Sequence, residues 1–296
     1  MTGHDPVLLE AVVDGLAPVP GEHLLDLTIG LGGHALRILE ATAPGGRLIG
    51  VDRDPAAHAM CRTSLPADRT ELVHGNFGDL PSLRQRIGSG TWDLVLADLG
   101  VSSPQLDDGE RGFSFRFDGP LDMRMDPTRG ETAAQLIAMI TEESLVTLIK
   151  ELGEDRHARK IAAAIIRARA EQPIETTGRL ASVIRNAVPV TGSSKLDAAT
   201  RTFQAIRIAV NRELEALQHL LDRIGSLLSP GGRLAIISFH SLEDRKVKEC
   251  FRTLSSEGDH LLLTTRPIRA TDAEIRQNPR SRSARLRIIR RLEEPA

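Results

Sequence analysis

The sequence predicts an α/β fold, in which a mostly parallel sheet has helices on both faces and a helical domain is inserted between two strands. Three observations predict it. Apolar strand-like runs alternate with helix-like stretches over the first hundred residues, residues 107–211 carry only loop and helix signals, and strand signals return afterwards. Alternation of the two element types is typical of parallel sheets, because parallel strands need crossover connections.

Seven short apolar runs are the predicted strands. Four precede the helical block, at Glu22–Leu27, Arg47–Asp52, Glu71–His74 and Trp92–Asp98. Helices are predicted between them at Ala35–Thr42, Pro55–Ser64 and Leu80–Ile87. The remaining strands are predicted at Arg233–Phe239, Leu261–Thr265 and Arg285–Ile289.

The block between the two groups of strands is predicted to be helical. Its first helices are Glu142–Glu151, Asp155–Ala170 and Thr177–Val188. A single long helix is expected from Ala199 to Leu228, since apolar residues recur there at steps of three or four and Ser229-Pro-Gly-Gly would end it. We therefore assign residues 107–211 to an inserted domain and residues 1–106 with 212–296 to the sheet domain.

Composition excludes several classes of protein. The chain has no run of 18 apolar residues and no basic-then-apolar N-terminus, so neither a membrane span nor a secretion signal is expected. Two cysteines provide no disulfide framework, which suits the cytoplasm. The net charge is −2, but residues 266–291 contain nine Arg and two acids. This segment is either a phosphate-contacting face or a solvated, arginine-rich strand.

A glycine-rich stretch, Asp26-Leu-Thr-Ile-Gly-Leu-Gly-Gly-His34, follows the first predicted strand and precedes a helix. Glycine permits a tight turn and a close approach of the backbone to a ligand. Asp52 ends the next strand, where a nucleotide-binding fold places the acid that binds ribose. The full G-x-G-x-x-G spacing is missing, so an adenosyl ligand without pyrophosphate fits better than a dinucleotide.

Polar residues also follow the third and fourth strands. Asn76-Phe77 and Asp98 stand there, and ligands of such sheets bind at the carboxyl ends of the strands. Asp98 could accept hydrogen bonds from an amino group of the ligand or of a base to be modified. The alternative is that Asp98 only caps a turn.

The segment 111–126 places three of the seven Phe within five residues, interleaved with Arg. Aromatic and guanidinium planes at a loop suit stacking on an unpaired base. A buried structural loop is the alternative, since aromatic residues dominate core contacts. We name Phe113 and Phe115 as candidates for substrate binding, together with Arg282 and Arg285 of the basic segment.

Phe239-His-Ser-Leu-Glu-Asp244 contains the residue types of a hydrolytic triad. Neighbouring residues of a strand point to opposite faces, however, so His240 could not act as the base for Ser241. A pocket-lining role is expected for His240 and Glu243, and His240 is also a candidate catalytic residue. No metal site is predicted, because the histidines are scattered without ligand spacing.

Short motifs along the whole chain carry a family resemblance. They are His4-Asp-Pro-Val-Leu-Leu, Gly30-Leu-Gly-Gly-His34, Asp52-Arg-Asp-Pro55, Asp98-Leu-Gly-Val-Ser-Ser-Pro-Gln105, Arg111-Gly-Phe-Ser-Phe, Leu121-Asp-Met-Arg-Met-Asp126, Gly153-Glu154, Thr202-Phe-Gln-Ala-Ile-Arg-Ile208 with Asn211, Ser238-Phe-His-Ser-Leu-Glu-Asp-Arg245 and Asn278-Pro-Arg-Ser-Arg-Ser-Ala284. In these the chain resembles the bacterial 16S rRNA (cytosine-N4)-methyltransferases, known as MraW or RsmH. It departs where Asp197 replaces a usual His and Leu27 a usual Cys or Gly.

The resemblance implies a class I, Rossmann-like, S-adenosylmethionine-dependent methyltransferase whose inserted domain recognises the substrate. The implied acceptor is N4 of cytidine 1402 in 16S rRNA, within the decoding centre of the small ribosomal subunit. A homodimer is compatible with it, and no membrane partner is expected. By residue match, the cofactor-binding residues are Gly32, Gly33, His34, Asp52, Phe77, Asp98 and Gln105. Asp98 is also a candidate catalytic residue.

Three other classes of function remain open at this point. A non-catalytic RNA-binding assembly factor would not need the cofactor residues. A DNA amino-methyltransferase usually carries Asp/Asn-Pro-Pro-aromatic where this chain has Asp98-Leu-Gly-Val. A dehydrogenase is disfavoured by the incomplete glycine pattern.

Overall fold

A computed structural model describes residues 6–88, 90–188 and 197–293. His4 and Asp5 of the first motif lie outside these ranges. The chain divides into two compact units, with boundaries between Gly100 and Val101 and between Glu213 and Leu214. The first unit contains both ends of the chain and the second is the insertion.

The first unit is built on a seven-stranded sheet in the order β3-β2-β1-β4-β5-β7-β6. Strands β1 to β5 pair in parallel, whereas β7 runs antiparallel to both β5 and β6. The predicted, mostly parallel sheet is therefore confirmed. The strands are β1 Leu24–Asp26, β2 Leu48–Asp52, β3 Thr70–His74, β4 Trp92–Asp98, β5 Leu228–Ser238, β6 His260–Leu262 and β7 Arg285–Arg291.

Helices cover both faces of this sheet. Alternate residues of β4 belong to opposite cores: Val95 and Ala97 on one side, Leu94 and Leu96 on the other. The first core is completed by α4, α11 and α12, and the second by α1, α2 and α3. The helices of this unit are α1 Leu9–Leu16, α2 Gly33–Ala41, α3 Pro55–Ser64, α4 Leu80–Ile87, α11 Glu213–Leu221, α12 Ser241–Ser256 and α13 Asp272–Gln277. Only the first residue of α11, Glu213, is assigned to the second unit.

The second unit is helical, as predicted for this segment. Thr132, Thr141 and Thr176 each cap a helix by accepting the N–H three residues later, which satisfies a donor that the helix itself leaves unpaired. Its own hydrophobic core packs these helices together. They are α5 Ser103–Asp107, α6 Ala133–Met139, α7 Glu142–Gly153, α8 Ala158–Glu171, α9 Thr177–Ala187 and α10 Ala199–Asn211.

The prediction of one helix from Ala199 to Leu228 was wrong. The helix breaks at Arg212, which has a left-handed backbone (φ 50°). Before the break, Asn211 accepts the Met125 N–H at 2.8 Å and donates to the Met123 carbonyl at 2.7 Å. These contacts hold Asn211 at the end of α10. The apolar residues that continue the same spacing after the break belong to a separate helix, α11.

A second correction concerns His240 and Ser241, which we expected on a strand end. β5 ends at Ser238, His240 is the N-cap of α12 and Ser241 is its first residue. The argument from opposite strand faces therefore does not apply to this pair. Within the described ranges, no helix combines the length and the apolar character needed to cross a bilayer.

Candidate cofactor site

The glycine turn after β1 has the backbone that its sequence predicts. Gly30 and Gly32 have positive φ angles of 50° and 77°, which residues with a Cβ rarely adopt. A Cβ on Gly33 would collide with the ring of Pro6. Gly32 is the N-cap of α2, without a side-chain cap. The first backbone amides of α2 therefore offer donors to an anionic group.

Asp52, at the end of β2, is hydrogen-bonded to this turn. Its Oδ2 accepts the Gly30 N–H at 2.9 Å and its Oδ1 accepts the Asp54 N–H at 2.8 Å. Burial raises the pKa of Asp52, although these two N–H groups partly offset the effect. Each carboxylate oxygen has a second lone pair, so the side chain can still accept from ribose hydroxyls.

Thr28 connects the ends of β1 and β4. Its Oγ1 accepts the Asp98 N–H at 2.6 Å, and its own N–H donates to Oδ1 of Asp26 at 3.0 Å. Asp26 is only 2% exposed, and burial raises its pKa to about 7. Thr28 and Asp26 belong to the glycine-rich motif, but sequence analysis assigned no role to either residue. The structure shows that they fix the backbone at Asp98.

The Asp98 carboxyl is strongly perturbed by its surroundings at the end of β4. Burial first, and then the charges of Asp26 and Glu243, raise the pKa of Asp98 to about 8. Its Oδ1 is buried and has no hydrogen-bond partner among the described residues. A buried acceptor without a partner carries a desolvation cost that a ligand N–H or a cation would remove. Asp98 therefore suits a positively charged or amino-bearing ligand.

His34 lies beside Asp98 and is held by the N-terminal segment. Its Nε2 is 2.8 Å from the carbonyl oxygen of Val7, so Nε2 carries the donated hydrogen. Its Nδ1 lies 3.9 Å from Oδ2 of Asp98. The ring is 7% exposed and is thus fixed between the two groups.

Phe77 follows β3 in a short 3-10 turn, Phe77–Asp79. Asn76 caps the turn by accepting the Gly78 N–H at 3.0 Å. The Phe77 ring is half-buried and packs against the core that contains Val73. An aromatic ring with one open side at a strand end can contact a flat ligand such as adenine.

Gln105, Phe113 and Phe115 belong to the second unit. Gln105 is buried in α5, where its Oε1 accepts the Ser102 N–H at 3.0 Å as part of a capping box. Phe113 is 7% exposed in the core of this unit, and Phe115 packs edge-to-face on Phe203 at 4.8 Å. Both rings therefore have structural contacts, and their roles in ligand binding stay predictions.

Sequence reasoning missed the exposed aromatic residue of the same loop. Phe117 is 60% exposed, the largest exposure among its Phe neighbours. Thr177 fixes the loop, because its Oγ1 donates to the Phe117 carbonyl at 3.1 Å and accepts the Gly119 N–H at 3.2 Å. The alternation Phe113-Ser-Phe-Arg-Phe117 contains no signal that distinguishes the exposed ring from the buried ones.

His240 and the two candidate arginines have identifiable structural contacts. His240 is 8% exposed, its Nδ1 accepts the Glu243 N–H at 3.4 Å, and Oε2 of Glu243 accepts the Phe239 N–H at 2.9 Å. Arg282 is exposed in the 3-10 turn Pro279–Ser283. Arg285 begins β7, with Nη1 3.7 Å from Oδ2 of Asp244. Their catalytic and substrate-binding roles stay predictions.

Comparison with known proteins identifies the family. The sequence profile of the MraW methylase family matches residues 1–292. This chain belongs to the MraW methylase family. It is therefore a methyltransferase, and its cofactor is S-adenosylmethionine, as predicted. The class I methyltransferase fold is confirmed with it.

Two curated relatives are similar over their full length. A protein of Thioalkalivibrio sulfidiphilus named ribosomal RNA small subunit methyltransferase H is 50% identical over 98% of this chain and 97% of its own. A protein of the same name from Chromobacterium violaceum is 49% identical over 99% of this chain and 96% of its own. Similarity at this level extends across both units.

Solved structures of low identity also match. A putative rRNA methylase of Clostridium thermocellum covers 99% of this chain and 100% of its own, at 13% identity and a TM-score of 0.46. A putative methyltransferase of Streptococcus mutans in complex with SAH covers 98% of this chain and 100% of its own, at 11% identity and a TM-score of 0.41.

Proposed function

We propose that this member of the MraW methylase family methylates N4 of cytidine 1402 in 16S rRNA, within the small ribosomal subunit. One observation carries the proposal: Oδ1 of Asp98, which has no partner in the described ranges, lies at the end of β4, and the glycine turn lies at the end of the adjacent β1. The names of the two relatives support small-subunit rRNA as the substrate class. Such an enzyme would act in the cytoplasm.

The strand ends of the first unit fit S-adenosylmethionine. The turn at Gly32 and Gly33 and the first amides of α2 would hold its carboxylate. Asp52 would accept from its ribose hydroxyls, and Phe77 would contact its adenine. Asp98 would accept from its ammonium group. When bound, the cofactor supplies an electrophilic methyl group on a sulfonium.

The acceptor N4 of cytosine is a weak nucleophile, because its lone pair is conjugated into the ring. Acceptors that hold the N4 hydrogens help the amine to rehybridise, and an in-line approach is needed. Asp98 has the acceptor capacity for such a contact. Fixed positioning would supply much of the rate enhancement. His34 and the Thr28 hydroxyl would maintain the position of Asp98.

Recognition of the base is assigned to the second unit and to the basic segment 266–291. A cytosine in a structured RNA must leave its stack before an enzyme can modify it. Phe113 and Phe115 remain candidates for the base pocket, and Arg282 and Arg285 for contacts to phosphate. Gln105 remains a candidate for the cofactor.

One experiment tests the reaction directly. The chain is incubated with methyl-labelled S-adenosylmethionine and either assembled small subunits lacking the modification, naked 16S rRNA or DNA, and the modified nucleoside is identified after digestion. N4-methylcytidine from small subunits alone is expected. Label in DNA would favour an amino-methyltransferase of DNA, whereas no label on any substrate would favour a non-catalytic assembly factor.

A further inference from the structure

A cavity lies away from the cofactor residues, at the opposite edge of the sheet in the first unit. Its volume is about 260 Å³, and it is formed by α12, β6, β7 and the segment that follows β6. Phe251 and Leu262 line its apolar part. Lys248, Arg252 and Arg287 also line it. The cavity therefore combines three cations with an apolar floor.

The exposed face of α12 extends this positive surface. Arg245, Lys248 and Arg252 are spaced three and four residues apart, so they lie on one face of the helix. All three are exposed, whereas Val247 and Phe251 are buried in the core. From Arg245 to Arg252 the helix rises about 10 Å. Glu249 is also exposed and lies on this face, so the stripe consists of three cations and one acid.

Arg287 forms a rigid wall of the cavity. It is 7% exposed, its Nε donates to Oδ1 of Asp244 at 2.7 Å and its Nη2 donates to Oδ2 at 3.3 Å. Asp244 neutralises this one charge. In the described part of the chain, Lys248 and Arg252 have neither an ion pair nor a side-chain hydrogen bond. Two uncompensated cations therefore border the cavity.

Two threonines add hydroxyl groups to the same cavity. Thr264 is tied to β7, because its Oγ1 accepts the Ile288 N–H at 2.9 Å. Thr265 is exposed. Hydroxyls beside Lys and Arg are typical of contacts to phosphate and sugar oxygens.

We propose that this cavity and the adjoining stripe bind the ribose-phosphate backbone of the substrate RNA, at a place remote from the reacting cytidine. We call Arg245, Lys248, Arg252, Thr265 and Arg287 the α12 phosphate site. The proposal rests on the proposed function, since that function provides the RNA. It adds an RNA-contacting surface to the first unit. Of the residues of this surface, only Arg287 belongs to the basic segment 266–291.

Size and charge favour an RNA backbone as the occupant. The volume of about 260 Å³ accommodates a phosphate and its sugar. The chain as a whole carries a net charge of −2, so the uncompensated cations are a local feature. A stripe of cations on a helix matches the regular charges of a phosphate backbone, which dominate nucleic-acid affinity.

The test compares the double variant Lys248→Ala/Arg252→Ala with the control Arg47→Ala/Arg62→Ala, which removes two exposed cations of the same unit far along the sheet. Methylation of unmodified small subunits is measured against salt concentration. The double variant should raise KM about tenfold and reduce the log–log salt slope by about 1.4, that is 0.7 for each lost contact to single-stranded phosphate. Its kcat and its calorimetric affinity for S-adenosylmethionine should not change.

A conservative variant, Lys248→Arg/Arg252→Lys, keeps both charges and should restore the slope. Binding of fluorescent 16S rRNA fragments and of poly-glutamate to the intact chain forms the second arm. The proposed α12 phosphate site is contradicted if the double variant has the same KM, salt slope and RNA affinity as the control. It is also contradicted if the double variant loses affinity for poly-glutamate but not for RNA. If the wild-type chain methylates no substrate, the proposed function fails. The α12 phosphate site is then tested only by comparing the affinity of the double variant and of the control for the 16S rRNA fragments.

Discussion

The Oδ2 atom of Asp52 accepts the backbone N–H of Gly30 at 2.9 Å. This bond joins the end of β2 to the turn after β1, so the two features that the sequence identified separately form one structure. Asp52 therefore has two functions in the proposed site. It holds the glycine turn in place, and we propose that its remaining lone pairs accept from ribose.

Replacement of Asp52 by Ala removes both functions. We expect the affinity for S-adenosylmethionine to fall by at least about tenfold, or about 1.4 kcal/mol. Asp52→Asn keeps an oxygen acceptor for the turn and should lose less. Isothermal titration calorimetry measures both, with Asp68→Ala as a control at an exposed carboxylate. Unchanged affinity of Asp52→Ala would remove Asp52 from the site.

Cofactor binding should depend on pH through Asp98. Its pKa of about 8 means that most of the carboxyl is protonated at pH 7 in the free protein. The ammonium group of the cofactor favours the ionised form, so binding should release up to one proton and strengthen as the pH rises from 6 to 8. Calorimetry at pH 7 in buffers of different ionisation enthalpy counts the proton. Asp98→Asn should abolish the release, and a proton count of zero for the wild type would contradict the assignment.

The same carboxyls make the stability of the protein without cofactor depend on pH. Burial raises the pKa of Asp26 from 3.8 to about 7 and that of Asp98 from 3.8 to about 8, so the native state binds more protons than the unfolded state between these values. The free energy of unfolding should therefore fall as the pH rises from about 4 to about 8. One carboxyl gives a slope of at most about 1.4 kcal/mol per pH unit. Urea unfolding should give a shallower slope for Asp98→Asn, and an equal slope would count against the raised pKa.

Phe117 should serve binding rather than folding. Its exposed ring stands on a loop fixed by Thr177, a geometry that suits stacking on an unpaired base. Phe117→Ala should raise KM for small subunits by about fivefold or more, given about 1–3 kcal/mol for one stacked base. Its free energy of unfolding should change by less than about 0.5 kcal/mol. Phe113→Ala is the comparison, because removing this buried ring should cost about 3 kcal/mol of stability. Normal KM for Phe117→Ala would exclude the stacking role.

Local signals predicted several elements with the bounds that the structure has. Trp92–Asp98 and Pro55–Ser64 agree residue for residue. The second has Pro at its first position and Asp54 as its cap, which accepts the Ala56 N–H at 3.0 Å. Both features involve residues next to each other in the sequence, so they can be predicted without information about the rest of the fold.

Features that depend on distant partners were not predictable in this way. The break at Arg212 depends on hydrogen bonds between Asn211 and the backbone of Met123 and Met125. The spacing of apolar residues within the helix carries no information about these distant partners. The function of Thr28 requires that β1 and β4 be neighbours, because its Oγ1 accepts from Asp98 70 residues away. The helix α12 was missed for another reason, since its first turn is highly polar and its apolar face is only Val247, Phe251 and their neighbours.

The start of the described chain lies directly against the cofactor turn. The Pro6 ring occupies the space beside Gly33 that a Cβ would need, and the Val7 carbonyl holds His34. A purification tag fused upstream of Pro6 would therefore be attached close to the turn that we propose binds the methyl donor. Kinetic and calorimetric comparisons should use a tag that follows β7, at the opposite end of the sequence.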